Sequence, residues 1–112
     1  MDINKKDIIR INQEIGADGL LSNESSLEYS LSTLKSKSSW LKDLAQFTRA
    51  LCVDHAFQDG NKRTALAIIL VYLEEEGLEA NKEKLVITIY KISKENINDL
   101  NRIMRLIKNG IF

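Results

Sequence analysis

One stretch of this sequence collects residues able to do chemistry: His55-Ala56-Phe57-Gln58-Asp59-Gly60-Asn61-Lys62-Arg63-Thr64-Ala65-Leu66. His55 is the single histidine. A neutral imidazole at a helix end, beside a polar loop, can take up a proton near neutral pH. Four residues on, Asp59-Gly60-Asn61-Lys62-Arg63 opens a strongly apolar segment. A helix start carries free backbone N–H groups and the positive end of the dipole, so it favours an anion. Gly60 lets the backbone approach a ligand closely. Lys62 and Arg63 add two cations within the same turn. Asp59 offers the hard oxygen that Mg²⁺ uses together with substrate phosphates.

Each residue also has an ordinary reading. A lone histidine is more often a surface residue or a satisfied core residue. Asp-Gly-Asn is common turn and capping chemistry. Lys62 and Arg63 fit a solvated first turn, although cations there oppose the dipole and call for a further partner. Only the combination, in this order, separates the functional reading from the ordinary one.

The elements that must position this stretch read as helices. Ile8, Ile11 and Ile15 recur at helical spacing, with Gly16 and Gly19 as a break. Ser22 and Asn23 can cap a second helix through Leu27, Leu31 and Leu34. Ser36 to Ser39 forms a polar joint. A third helix sets Trp40, Leu41, Leu44, Phe47 and Leu51 on one face and Lys42, Asp43, Gln46 and Arg49 largely on the other. It runs out near Asp54, and His55 to Gly60 reads as a loop. From Asn61 the chain is helical again, and Ala65 to Leu73 is apolar on every side, which predicts a helix buried on all faces at the centre of the bundle. Glu74, Glu75 and Glu76 return it to solvent, and Gly77 is a natural end. Asn81 can cap a fifth helix over Lys82 to Ile92, although Val86 to Tyr90 also suits a strand. Ser93 can cap a last helix carrying Ile97, Leu100, Ile103, Met104 and Ile107, with Gly110 ending it.

The bulk numbers agree with one domain. The 112 residues are 44 % hydrophobic and 29 % charged, a globular balance. Sixteen Lys and Arg balance sixteen Asp and Glu, which gives no electrostatic reason to expect nucleic-acid or membrane binding. The single cysteine, Cys52, forms no intrachain disulfide and fits a reducing compartment. The polar opening residues have no signal-peptide core, and the longest apolar run, Ala65 to Leu73, falls far short of the roughly 20 residues that span a bilayer. A cytoplasmic protein is the expectation.

The run His-x-Phe-x-Asp-Gly-Asn-Lys-Arg resembles the signature of the Fic/Doc family, His-x-Phe-x-(Asp/Glu)-(Gly/Ala)-Asn-(Gly/Lys)-Arg, without a gap. Asp18-Gly19-Leu20-Leu21 and the Ser- and Leu-containing segment after it look like the N-terminal part of Doc proteins. Thr64-Ala65-Leu66 continues as Doc proteins do. The resemblance implies an all-α fold, a single Fic/Doc-type helical bundle over residues 1–112 with a central buried helix. It implies that His55 is the general base that deprotonates a target Ser, Thr or Tyr hydroxyl, and that Phe57 anchors the loop in the core. It assigns Asp59 to Mg²⁺ beside the phosphates of ATP. Gly60, Asn61 and Lys62 fall to the anion-binding nest and Arg63 to phosphate.

Two positions are similar to the Doc branch rather than to the Fic adenylyltransferases. Those enzymes usually carry Gly at the place of Lys62 and a second arginine at the place of Leu66. Doc proteins are thought to bind the nucleotide reversed and to transfer phosphate. Their known target is the translation factor EF-Tu, the outcome is growth arrest, and the antitoxin Phd silences them. Gly60 is the more Fic-like feature, and Ala56 replaces a common proline. The self-inhibitory pattern of many Fic proteins, Ser/Thr-x-x-x-Glu-(Gly/Asn), is absent, because Tyr72 and Lys91 precede Glu76-Gly77 and Glu95-Asn96. The resemblance therefore implies a Doc-like toxin with an antitoxin partner. AMP transfer and an inactive Fic-fold binding module stand as the alternatives.

Overall fold

The computed structural model describes residues 2–34 and 39–112, and these form six helices with no strand. They are α1 (Lys5–Glu14), α2 (Glu24–Thr33), α3 (Trp40–Cys52), α4 (Asn61–Glu75), α5 (Lys82–Lys94) and α6 (Leu100–Ile111). The all-helical bundle expected from the sequence is the fold observed. Most of the polar joint at 36–39 lies outside the described residues; Ser39 caps α3 by accepting from the Lys42 N–H.

The centre is shared by two helices. α4 packs against α1, α3 and α5, while α3 packs against α2, α4, α5 and α6. Ala65, Ile68, Ile69, Tyr72 and Leu73 of α4 meet Leu44, Phe47 and Leu51 of α3 in one core with Ile8, Leu27, Phe57, Leu85, Ile89 and Ile103. Trp40 stacks on Tyr72 with ring centroids 5.5 Å apart.

Four expectations need correction. Asp43 and Gln46 do not face solvent; both are buried, because four helices surround α3 and leave it no wholly wet face. Val71 is 45 % exposed, so α4 is not buried on all faces. Ser93 does not start the last helix. α5 runs through it to Lys94, the chain turns at Asn96 in a left-handed conformation, and Asp99 caps α6 by accepting from the Asn101 N–H. Ile97 is buried in this connector, which is why it read as part of the helical stripe. Gly110 does not end α6. It is a buried residue inside the helix, where a Cβ would lie 3.0 Å from Thr88 Oγ1 and 3.2 Å from Leu85 Cδ2, so its lack of a side chain lets α5 and α6 pack closely. The 82–92 segment is helical throughout, because Leu85, Ile89 and Ile92 bury one helical face.

Candidate functional site

The loop between α3 and α4 is held by backbone rather than by side-chain bulk. The Ala56 N–H donates to the Ala50 carbonyl, which folds the chain back over the end of α3. The Ala56 carbonyl accepts from both Ser22 and Asn23 N–H, and the Gln58 N–H donates to the Leu20 carbonyl at 2.9 Å. Leu21 and Phe57 thereby form a single antiparallel bridge. Phe57 is buried in the core, where the resemblance places it. His55 stands just before this anchored segment with φ +53°, a left-handed backbone that costs a residue with a side chain about 1–3 kcal/mol.

Two asparagines lock the loop onto α4. Asn61 closes a ring with the Phe57 peptide: its Oδ1 accepts from the Phe57 N–H at 2.9 Å, and its Nδ2 donates to the Phe57 carbonyl at 2.8 Å. Its side chain is thus committed to structure, and only its backbone N–H faces outward chemistry. Asn12 of α1 is fully buried. Its Nδ2 donates to the Asp59 carbonyl and to Thr64 Oγ1, each at 3.0 Å, and its Oδ1 accepts from the Gly19 N–H. Gly60 is required on this inner side. It has φ +76°, and a Cβ there would meet Ala17 Cβ at 2.9 Å and Asn12 Nδ2 at 3.1 Å.

This local structure leaves the start of α4 open. Asn4, Asn23, Ser39, Asn81 and Asp99 cap the other five helices with a side-chain oxygen, but Gly60 caps α4 with none. The first backbone bond of α4 runs from the Thr64 N–H to the Gly60 carbonyl. The N–H groups of Asn61, Lys62 and Arg63 therefore point out of the helix end toward whatever occupies it.

A cleft of about 280 Å³ lies over this end. All six residues singled out in the sequence line it: His55, Asp59, Gly60, Asn61, Lys62 and Arg63. Cys52, Gln58, Tyr90 and Ser93 line it too, and sequence reasoning did not find them. No signal links Tyr90 to a motif far away in the chain; the packing of α5 on α4 makes the connection. Asn12 was missed because a lone asparagine between isoleucines reads as a solvent position.

The two cations that opposed the helix dipole find different partners. Arg63 Nη1 donates to the Ile15 carbonyl at 3.0 Å, at the negative end of α1, where a cation is favoured. The guanidinium keeps further N–H donors beyond that bond. Lys62 places its ammonium over the Tyr90 ring, 5.0 Å from the centroid. Asp59 spends its backbone carbonyl on Asn12, and among the described residues its exposed carboxylate has no hydrogen bond or ion pair. Nor do the described residues hold a group of three His, Cys, Asp or Glu able to cage a metal. One carboxylate beside an open helix start suits Mg²⁺ held jointly with phosphate oxygens, and the residues present fit that group. The imidazole of the exposed His55 makes no protein hydrogen bond among the described residues. Cys52 is buried, and burial pushes its thiol up to about 12, against the pull of Lys62, so it is not a nucleophile at neutral pH.

Among the described residues no helix is long and apolar enough to cross a membrane. Comparison with known proteins gives one positive result: the model of the Fic/DOC family matches residues 2–73. No curated protein and no solved structure matches the chain. The matched stretch contains α1 to α4, the loop, both asparagine locks and the open helix start. The chain belongs to the Fic/DOC family.

Proposed function

We propose that this chain is a Doc-like enzyme that transfers the γ-phosphate of ATP to a hydroxyl of a protein target and so acts as a toxin. The observation that carries the reading is the uncapped start of α4, with His55, Asp59, Lys62 and Arg63 around one cleft. The N–H groups at residues 61–63 and the Lys62 ammonium hold the phosphate chain. The Asp59 carboxylate would hold Mg²⁺, whose charge would offset that of the phosphates. His55 takes the proton of the acceptor Ser, Thr or Tyr as its oxygen bonds to the γ-phosphorus, and the bond to the bridging oxygen breaks to release ADP. Positioning and charge compensation are the main protein contributions to such a transfer. Lys62 adds bulk and charge where a glycine would leave room for the chain, and Leu66 withholds the second arginine that an AMP-transferring pose would use. Both favour the reversed nucleotide.

By resemblance the target is a translation factor such as EF-Tu, and the regulator is a Phd-like antitoxin supplied as a separate chain that covers the cleft or the surface beside it. The action is cytoplasmic. Incubation with ATP, Mg²⁺ and purified EF-Tu, followed by mass analysis of the intact target, tests the reading. The expected product carries one phosphoryl group. An AMP adduct moves the chain to the adenylyltransferases, and no adduct on EF-Tu removes that target. Asp59→Ala should weaken Mg²⁺-dependent ATP binding while the helical content is unchanged. Expression alone should slow growth.

A further inference from the structure

We infer that Tyr90 is a positioning residue that holds the Lys62 ammonium inside the cleft, so that an arriving phosphate chain meets a cation already in place. This rests on the reading of the open α4 start as an anion site, and it adds a residue that lies beyond the family match, which ends at residue 73.

The argument begins with a conflict. Lys62 sits in the first turn of α4, where the dipole repels a cation. A lysine in that place, left to itself, swings its long flexible stem into solvent. Here the side chain is exposed, yet it turns toward a ring. Its ammonium lies over the Tyr90 ring, 5.0 Å from the centroid, and both residues line the cleft that holds His55 and Asp59. Among the described residues Lys62 has no carboxylate partner.

The ring suits this task better than a carboxylate. A carboxylate would neutralise the ammonium and compete with the anion for it. An aromatic face attracts a cation through its quadrupole and leaves the positive charge intact. Contact with one face also leaves the ammonium's other hydrogens free for phosphate oxygens. Tyr90 is 58 % exposed and contributes little to the core, so its place on α5 is explained by what it holds rather than by what it buries. The contribution to binding is pre-organisation: the lysine is ordered before the anion arrives.

The test uses inorganic tripolyphosphate, a phosphate chain without a base, titrated calorimetrically into the full chain. Tyr90→Leu should weaken binding about three- to tenfold, and Tyr90→Phe, which keeps the ring face, should bind as the parent does. In a Lys62→Met background, Tyr90→Leu should have no further effect. The Lys62 side-chain protons should show an upfield ring-current shift that Tyr90→Leu removes and Tyr90→Phe preserves. Tripolyphosphate binding that is indifferent to Tyr90→Leu, or an equal loss in the Lys62→Met background, overturns the role of Tyr90 alone. Tighter binding by Tyr90→Leu also overturns it, because the ring would then be a competitor for the ammonium. Failure of the parent to bind tripolyphosphate overturns the anion site and this role with it.

Discussion

Asn12 and Asp43 are both polar residues buried in the core, and they meet opposite fates. Asn12 lies under the start of α4 with its amide fully engaged by Asp59, Thr64 and Gly19. Asp43 lies on α3, close enough to the far end of α4 for its charge to act on Tyr72, and among the described residues its Oδ1 finds no partner. Burial raises the Asp43 carboxyl from its ordinary value, against the opposing pull of Lys42. Tyr72 is pushed up as well, first by its own burial and then by the negative charges of Glu76, Asp43 and Glu75. The two ends of α4 are thus built to different standards. Among the described residues the buried side-chain polar atoms at the site are all satisfied and the loop is fixed; at the other end a destabilising group is tolerated. Satisfied buried polar networks specify geometry, whereas an orphaned group only subtracts from stability.

The largest test of that contrast is chemical. Removing a general base commonly costs 10²–10⁴ in rate, so His55→Ala should abolish measurable target modification, while Asp43→Asn leaves the turnover number unchanged. ATP affinity of His55→Ala, read by calorimetry, should match the parent, because the phosphate contacts come from residues 60–63. Full activity in His55→Ala would end the mechanism, since no other histidine exists to replace it.

The next effect is on folding. Asn12→Leu leaves the Asp59 carbonyl, the Thr64 hydroxyl and the Gly19 N–H without their partner, and urea unfolding should show a loss of about 3 kcal/mol. Activity should fall with it, because the loop is then untied from α1. A variant as stable and active as the parent would erase the distinction between the two ends.

The smallest effect has the opposite sign. Asp43→Asn replaces a group that is costly to ionise by a neutral isostere, and it should stabilise the protein by about 1 kcal/mol at pH 7. The folded-state pKa of Asp43 lies above its unfolded value, so the folded chain binds the proton more tightly. Its favourable contribution is therefore complete below the ordinary carboxylate pKa and is lost as pH rises through the folded value. The gap between variant and parent should widen over that interval and then stay constant. A constant gap from acid to neutral pH would mean that Asp43 is not the group being desolvated.

Much of the site was legible because it is contiguous. His55, Asp59, Gly60, Lys62 and Arg63 stand in one stretch, and all of them line the one cleft. The roles of two motif residues shift when seen folded. Gly60 is demanded by Ala17 and Asn12 beneath it as well as by any ligand above, and the Asn61 side chain belongs to Phe57. Periodicity found the helices because each buries an apolar face. It failed at Asp43, Gln46 and Ile97, where the environment comes from neighbours distant in sequence. Ser93 failed as a cap for a related reason: Asp99 offers the same local chemistry a few residues later, and burial of Ile92 keeps α5 helical past the alternative stop. Tyr90 carried no local signal at all.

The long-range bonds that fix the 55–60 loop and the start of α4 reach back to the α1–α2 region: Ser22 and Asn23 to Ala56, Gln58 to Leu20, Asn12 to Asp59 and Thr64, and Arg63 to Ile15. Such long closures carry a chain-entropy penalty that must be met before any contact rewards it. The loop is therefore expected to form as one unit. Its amide protons at Ala56, Phe57 and Gln58 should share one exchange rate with those of Ser22 and Asn23, opening together or not at all.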